Sequence, residues 1–261
     1  MAAGEHVHVN GRNLYVEQYG ARDGQAVVLL HHGLGSIGAW KAQLPAMAAA
    51  GCRVVAYDRW GYGRSDLRPS FSAPHFEEDV ADLHELLPRL GLACPVLLGH
   101  SDGGTIALYF AARYAEQVNS LIVVAAHIYV EDRMRPGIEA LRQAYEKDVR
   151  FRQSLQRQHG DQTDAVFSNW YSGWVRPASL AWDMRPLLGS IACPALVVQG
   201  MEDEHATPQH AQDIAAGIPK AQLWLVDGAH HMLPQEMPDV FNRRALDFLE
   251  EVTKEESQYV Q

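Results

Sequence analysis

The stretch from Pro95 to Gly104 reads P-V-L-L-G-H-S-D-G-G, and it decides the fold. Its apolar run predicts a short strand, and the residues from Asp102 onward predict a helix. Ser101 lies at the turn between them, in the pattern G-x-S-x-G that it forms with Gly99 and Gly103. Such a turn holds the serine in strained backbone and places its hydroxyl beside the free N–H groups of a helix N-terminus. The stretch therefore predicts a nucleophilic serine.

Strand-like and helix-like segments alternate on both sides of this turn. The apolar runs that predict buried strands begin at Ala26, Arg53, Pro95, Ser120, Pro194 and Gln222. Asn10-Gly11, between two shorter alternating runs, predicts a hairpin near the N-terminus. Alternation of this kind predicts an α/β protein in which helices cover both faces of a parallel sheet.

Residues 129–185 interrupt the alternation. They contain no strand-like run and are dense in charged residues, glutamine and aromatics. We predict two to four helices here, inserted as a cap on a core formed by residues 1–128 and 186–261. A substrate pocket is expected between cap and sheet, and Trp170, Tyr171 and Trp174 are predicted to line it.

The bulk composition narrows the classes of function. The chain has 261 residues, enough for one large domain, and a formal net charge of −10, which disfavours a nucleic-acid partner. The three cysteines form no C-x-x-C pair, and no histidine spacing indicates a metal, so we expect neither metal nor cofactor. No signal peptide or bilayer-length apolar run is visible, so we expect a cytoplasmic monomer or homodimer without a membrane partner.

A serine hydroxyl needs a base to become a nucleophile, and the base needs a carboxylate to orient it. In a strand–turn–helix context of this kind the chain order is serine, acid, histidine. Three acids follow the run A-L-V-V-Q-G, namely Glu202, Asp203 and Glu204. The spacing of Gly200, Asp203 and Pro208 favours Asp203 as the orienting acid.

The base and the oxyanion hole come from other loops. The run Q-L-W-L-V-D leads to two adjacent histidines, His230 and His231, of which only one can be the base. The tetrahedral intermediate needs N–H donors. We expect these from the backbone of Asp102, which follows the nucleophile, and of Leu34, which lies in the loop H-H-G-L-G-S after an early strand.

Taken together, the motifs resemble the α/β-hydrolase superfamily over nearly the whole chain. The pieces that carry the resemblance are H-H-G-L-G-S, D-R-W-G-Y-G-R-S, G-H-S-D-G-G, G-M-E-D and G-A-H-H. The resemblance implies the α/β-hydrolase fold, a mostly parallel eight-stranded sheet flanked by helices with a small helical cap. It also implies His231 as the base, because this histidine precedes Glu236 by five residues and Pro238 by seven. Two positions depart from the pattern: Trp60 replaces a common arginine and His230 a usual glycine.

Within the superfamily, S-D-G-G and A-A-H-I-Y-V-E-D look like the valacyclovir-hydrolase (biphenyl-hydrolase-like) branch. In that branch the aspartate after the serine is implicated in holding a substrate amine. Carried over, the Asp102 carboxylate would bind an α-amino group. The alternative is that Asp102 only stabilises the helix N-terminus, where acids are favoured in any protein.

A serine nucleophile favours hydrolysis of a small carboxylic ester through an acyl-serine intermediate. The alternatives among enzymes are cleavage of a carbon–carbon bond in a ring-cleavage product, lactone opening, and hydrolysis of amino-acid esters. A carbon–carbon hydrolase needs a cationic clamp for a carboxylate, which cap arginines could supply. These are Arg133, Arg135, Arg142, Arg150, Arg152 and Arg157. A more remote alternative is a ligand receptor of the same fold with very slow turnover.

Overall fold

The structure is a computed structural model that describes residues 4–132 and 134–259. Its strands are β1 (Glu5–Val9), β2 (Arg12–Gly20), β3 (Ala26–Leu30), β4 (Arg53–Tyr57), β5 (Val96–His100), β6 (Leu121–Val124), β7 (Ala195–Gly200) and β8 (Ala221–Val226). Its helices are α1 (Gln43–Ala49), α2 (Glu77–Arg89), α3 (Asp102–Arg113), α4 (Met134–Lys147), α5 (Val149–His159), α6 (Thr163–Trp174), α7 (Gln209–Gly217), α8 (Leu233–Glu236) and α9 (Pro238–Tyr259).

The eight strands form one sheet in the order β1-β2-β4-β3-β5-β6-β7-β8. From β4 to β8 every neighbouring pair is parallel, whereas β1 and β2 form an antiparallel hairpin at one edge. Asn10 and Gly11 both have positive φ angles, 47° and 78°, which matches the two-residue turn predicted there. The α/β-hydrolase fold expected from the sequence is confirmed.

The sheet separates two apolar cores, because successive side chains of a strand point to opposite faces. In β3, Val28 and Leu30 pack toward α2, α3 and α7, whereas Val27 and Leu29 pack toward α1 and α9. Both faces of the central strands are therefore buried, which explains why these strands read as continuous apolar runs. The loops at the ends of these central strands are therefore where side chains are available for chemistry.

The segment between β6 and β7 contains α4, α5 and α6. Only Asp148 lies between α4 and α5, and a short 3-10 turn joins α5 to α6. Its two ends are brought together by a single β-bridge between Tyr129 and Asp183. Side chains of the segment also bond core loops: Gln162 Nε2 donates to Ser65 O over 2.9 Å, and Asn169 Nδ2 donates to Arg68 O over 2.8 Å. This three-helix layer lies over the carboxyl ends of the strands. Within the described residues, no helix is long and apolar enough to cross a membrane.

Candidate active site

Ser101 occupies the turn between β5 and α3 in a backbone conformation that is strained for any residue with a side chain, with φ of 54° and ψ of −121°. The neighbouring glycines make the turn possible. A Cβ atom on Gly99 would lie 2.2 Å from the carbonyl oxygen of Gly103, and one on Gly103 would lie 2.1 Å from that of Leu30. The pattern G-x-S-x-G is therefore a steric requirement of this turn.

Three predicted residues from three different loops meet at this turn. The Nε2 atom of His231 lies 3.0 Å from Ser101 Oγ, and its Nδ1 atom lies 2.8 Å from Asp203 Oδ2. The loops follow β5, β7 and β8, whose carboxyl ends share one edge of the sheet. All three residues are buried. The structure thus assembles the serine, base and acid in hydrogen-bond contact.

The competing residues lie outside this chain of contacts. The side chain of His230 is 51% exposed and approaches the carboxylates of Glu236 and Glu202 at 3.5 and 3.7 Å. Glu204 accepts a hydrogen bond from the backbone N–H of His231 over 3.1 Å but does not contact its ring nitrogens. The geometry therefore separates the two adjacent histidines and the three adjacent acids.

The surroundings of Asp203 and His231 set their protonation states. Burial would raise the pKa of Asp203, but His231 and the N–H donors of Gln199, His205 and Ala206 outweigh it and hold the pKa well below its usual range. Burial would lower the pKa of His231, but the Asp203 carboxylate outweighs it and raises the pKa. Asp203 is consequently ionised and accepts a hydrogen bond from Nδ1–H. When the His231 ring is neutral, its proton is therefore on Nδ1 and Nε2 faces Ser101 as an acceptor.

A cavity of about 310 Å³ opens above Ser101, between the sheet and the three-helix layer. Its floor is polar and includes Ser101, Asp102 and His231. Its upper walls are mostly apolar and come from α4, α5 and α6. The side chains on these walls are Met134, Ile138, Leu141, Phe151, Ser154, Leu155, Gln158, Trp170 and Trp174. The shape suits a small organic ligand with one reactive polar group at the serine.

Four of the five predicted oxyanion or substrate residues line this cavity: Leu34, Asp102, Trp170 and Trp174. Tyr171, the fifth, is not among the described residues that line the cavity. Its hydroxyl donates to Glu139 Oε2 over 3.2 Å, on the side facing α4. The physical reason is helical geometry: positions 170 and 174 share a face of α6, whereas position 171 is turned about 100° from position 170.

The Asp102 carboxylate is a buried charge at the cavity floor. Its Oδ2 atom has no hydrogen-bond partner among the described residues, and the nearest cation, Arg59 Nη2, is 3.9 Å away. Burial raises the pKa of Asp102 to about 6, although Arg59 opposes the rise. The atom lies next to the open side of Gly33, where a Cβ would stand 2.7 Å from Oδ2 and 2.3 Å from Trp170 Nε1. One oxygen of this buried carboxylate thus lacks a hydrogen-bond donor among the described residues, although Arg59 and Trp174 interact with the group.

Three histidines outside the predicted site also line the cavity. They are His32, His127 and His205. Burial lowers the pKa of His32 to about 3, so its ring is neutral. His127 and His205 follow the ends of β6 and β7, and this position after a strand is the signal that could have identified them.

No described lysine or arginine lines the cavity. Arg142 pairs with Glu139 and Glu146 on its own helix, and Arg152 pairs with Asp164 at the surface. Arg133 lies outside the described residues. Within the part of the chain that the structure describes, no group of three or more His, Cys, Asp or Glu side chains is arranged to hold a metal ion. The site holds a serine, a histidine and an aspartate in hydrogen-bond contact, with a second buried carboxylate, that of Asp102, beside them.

Comparison with known proteins agrees with this description. A family model for the α/β-hydrolase family matches residues 27–244. The chain is 34% identical to the human protein "Serine hydrolase BPHL" over 252 residues, which cover 94% of this chain and 85% of the relative. It is 28% identical to the 2-hydroxy-6-oxo-6-phenylhexa-2,4-dienoate hydrolase of Comamonas testosteroni, covering 88% and 89% of the two chains.

A solved structure with a similar fold is the meta-cleavage product hydrolase of Pseudomonas fluorescens IP01. It superimposes with a TM-score of 0.80 at 22% identity, over 95% of this chain and 98% of that chain. The family match spans most of the sheet and the loops that carry Ser101, Asp203 and His231. The chain therefore belongs to the α/β-hydrolase family.

Proposed function

We propose that this protein is a serine hydrolase that cleaves small carboxylic esters through an acyl-serine intermediate. The observation that carries the proposal is the continuous contact from Asp203 through His231 to Ser101 Oγ, at 2.8 and 3.0 Å. Ser101, His231 and Asp203 take the roles of nucleophile, general base and orienting acid. The serine hydrolase BPHL is a relative at 34% identity, which supports the same assignment.

The mechanism follows from the positions of these atoms. His231 Nε2 removes the Ser101 hydroxyl proton while Oγ attacks the ester carbonyl carbon. The negative charge that forms on the carbonyl oxygen is stabilised by the backbone N–H groups of Leu34 and Asp102, the two oxyanion donors that we propose. The tetrahedral intermediate collapses, and His231 returns the proton to the departing alkoxide, which leaves as the alcohol. A water molecule then cleaves the acyl-serine by the same two steps, with His231 again as the base.

Among esters, amino-acid esters are the subclass that one specific observation favours. The buried Asp102 carboxylate lies at the cavity floor with Oδ2 unpartnered among the described residues, and no described cation lines the cavity. A substrate α-ammonium group would supply the missing partner, one residue from the nucleophile. The aromatic rings of Trp170 and Trp174 would border the same group. Neutral acyl esters would leave Oδ2 of this carboxylate without a hydrogen-bond donor.

The same lining disfavours the carbon–carbon hydrolase alternative for this chain, although one relative is named as such an enzyme. Its dienoate substrate carries a carboxylate, which would enter a cavity whose one buried charged side chain is also a carboxylate. Lactone opening uses the same nucleophile and remains a second candidate reaction. The small-molecule substrate, the cytoplasmic location and the monomeric or dimeric state stay predictions.

The test is a panel of p-nitrophenyl esters of increasing acyl length, aminoacyl esters, lactones and a dienoate ring-cleavage product, with Ser101→Ala as the blank. The proposal expects turnover of esters, with the highest kcat/KM for aminoacyl esters. If the dienoate were the one substrate turned over, the reaction would be carbon–carbon cleavage and not ester hydrolysis. A burst of acyl-enzyme with negligible turnover on every substrate would indicate the receptor alternative.

A further inference from the structure

A buried histidine of the three-helix layer reaches into the core beside the proposed oxyanion hole. His159 is the last residue of α5, and only 2% of its surface is exposed. It does not line the cavity. Its ring lies between the loop that carries Leu34, after β3, and the loop that carries Gly63, after β4. The mechanism above gives this residue no role.

The two hydrogen bonds of His159 define its tautomer. The backbone N–H of Gly63 lies 3.0 Å from Nδ1, and since a backbone N–H can only donate, Nδ1 accepts and carries no proton. The proton of the neutral ring is therefore on Nε2, which donates to the carbonyl oxygen of Leu34 over 3.1 Å. Burial lowers the pKa of His159, which favours this neutral state. A protonated ring would lose the bond from Gly63.

The carbonyl of Leu34 and the N–H of Leu34 belong to consecutive peptide units of one residue. Fixing the carbonyl direction restricts the backbone torsion angles of Leu34 and so restricts the direction of its N–H. Oxyanion donors must point to where charge develops, within a few tenths of an ångström. The loop has further ties on the same side: Ser36 Oγ donates to Gln158 Oε1 over 3.2 Å, next to His159 in α5.

We propose that His159 is a positioning residue that orients the Leu34 N–H for the tetrahedral intermediate, so that the seating of the helical layer on the core controls the oxyanion hole. The inference rests on the proposed serine-hydrolase function. Under this inference the three-helix layer does more than cover the cavity, because the contact of His159 with the Leu34 loop also affects catalysis. A residue with a purely structural role would affect stability or substrate binding but not the stabilisation of the tetrahedral state.

The layer offers a matched control. Gln162, in the turn that follows α5, also contacts a core loop: its Nε2 atom donates to Ser65 O over 2.9 Å. This contact does not involve the Leu34 loop. His159→Leu removes both hydrogen bonds at similar volume. His159→Gln restores a donor and an acceptor about as far apart as the two ring nitrogens. Gln162→Leu removes one bond between the layer and the core.

The experiment measures kcat and KM for the best ester of the panel, together with inhibition by a phenylboronic acid, which forms a tetrahedral adduct on a serine. We expect His159→Leu to lower kcat and to weaken boronic acid binding by a similar factor, between about tenfold and the hundredfold typical of losing an oxyanion donor. KM should change by less than about twofold. His159→Gln should recover most of the loss, and Gln162→Leu should resemble wild type.

An unchanged kcat in His159→Leu, a change confined to KM, or an equal loss in Gln162→Leu would overturn the inference. If His159→Leu does not fold, His159→Asn replaces it in the same measurements. The shorter asparagine side chain can accept from the Gly63 N–H but is too short to donate to the Leu34 carbonyl. Failure of the proposed function would look different: wild type itself would neither hydrolyse esters nor bind the boronic acid.

Discussion

The Nε2 atom of His231 lies 3.0 Å from the Oγ atom of Ser101, whereas the ring of its sequence neighbour His230 points to solvent. Of these two histidines, His231 is therefore the one within hydrogen-bond reach of the serine hydroxyl. We predict that His231→Ala lowers kcat for ester hydrolysis by on the order of 10⁴-fold or more, and that His230→Ala changes it by less than about threefold. Initial rates with a p-nitrophenyl ester measure both. The opposite ranking would show that the base is assigned to the wrong histidine.

The pH dependence of the reaction follows from the raised pKa of His231. The base acts in its neutral form, so protonation of His231 removes activity. Burial lowers its pKa, but Asp203 outweighs burial, so the folded value lies above 6.5. We expect kcat/KM for a neutral ester to fall as the pH drops through the raised pKa of His231. The profile should show the ionisation of this one group. A rate that stays constant from about pH 8 down to pH 5 would contradict the assignment.

Asp102 should add a second ionisation with amine-bearing substrates only. In the proposed function its carboxylate binds an ammonium group when ionised, and burial raises its pKa to about 6. We predict that Asp102→Asn lowers kcat/KM for aminoacyl esters at least about tenfold, which is the loss expected for one charge-assisted contact. The variant should also lose the second ionisation from the pH profile of these esters. Simple acyl esters of matched size serve as the control. An equal loss on both substrate classes would mean that the side chain does not select amines.

The cavity walls predict different effects for neighbouring aromatic residues of α6. Trp170 lines the cavity, whereas Tyr171 faces α4 and bonds Glu139. Trp170→Ala should raise KM for bulky esters several-fold while leaving KM for an acetyl ester nearly unchanged, because it removes apolar contact area. Tyr171→Ala, the matched truncation, should leave both KM values close to wild type. A larger effect at position 171 would place the substrate elsewhere.

The loop beneath the cavity depends on a buried charge cluster. The carboxylate of Asp79 accepts from Arg59 over 3.1 Å and from Arg68 over 2.7 Å, and all three side chains are at most 2% exposed. Asp79→Asn leaves two buried guanidinium groups without this counter-charge, so the free energy of unfolding should fall by about 3–5 kcal/mol in urea titration. Glu250→Gln, in an exposed pair with Lys254, should change it by less than about 1 kcal/mol. A similar decrease in the free energy of unfolding for both variants would contradict a stabilising role for this buried charge cluster.

The sequence predicted the fold and the central contacts because these depend on local and repetitive constraints. The glycines around Ser101 are required by one turn, and the apolar runs are required by strands buried on both faces. The order of the loops along the chain then places Asp203 and His231 at the same edge of the sheet. The preference for His231 over His230 came from the resemblance to the family, through the spacing to Glu236 and Pro238.

The cavity walls were less predictable, because they depend on how α4, α5 and α6 pack on the core. Tyr171 lies beside two lining tryptophans in sequence, yet helical rotation turns it away. The bonds of His159 to Leu34 and Gly63 join residues 125 and 96 positions apart, and no local pattern encodes them. The orientation of the Asp102 carboxylate likewise depends on Arg59, which comes from another loop.

The most direct test of the central claim is peptide mapping by mass spectrometry after an acid quench of wild-type protein turning over a p-nitrophenyl ester. The acyl group should appear on the peptide that contains Ser101, and it should be absent from Ser101→Ala treated in the same way. Continued ester hydrolysis with no acylated peptide, or with the acyl group on another residue, would contradict an acyl-serine mechanism at this site.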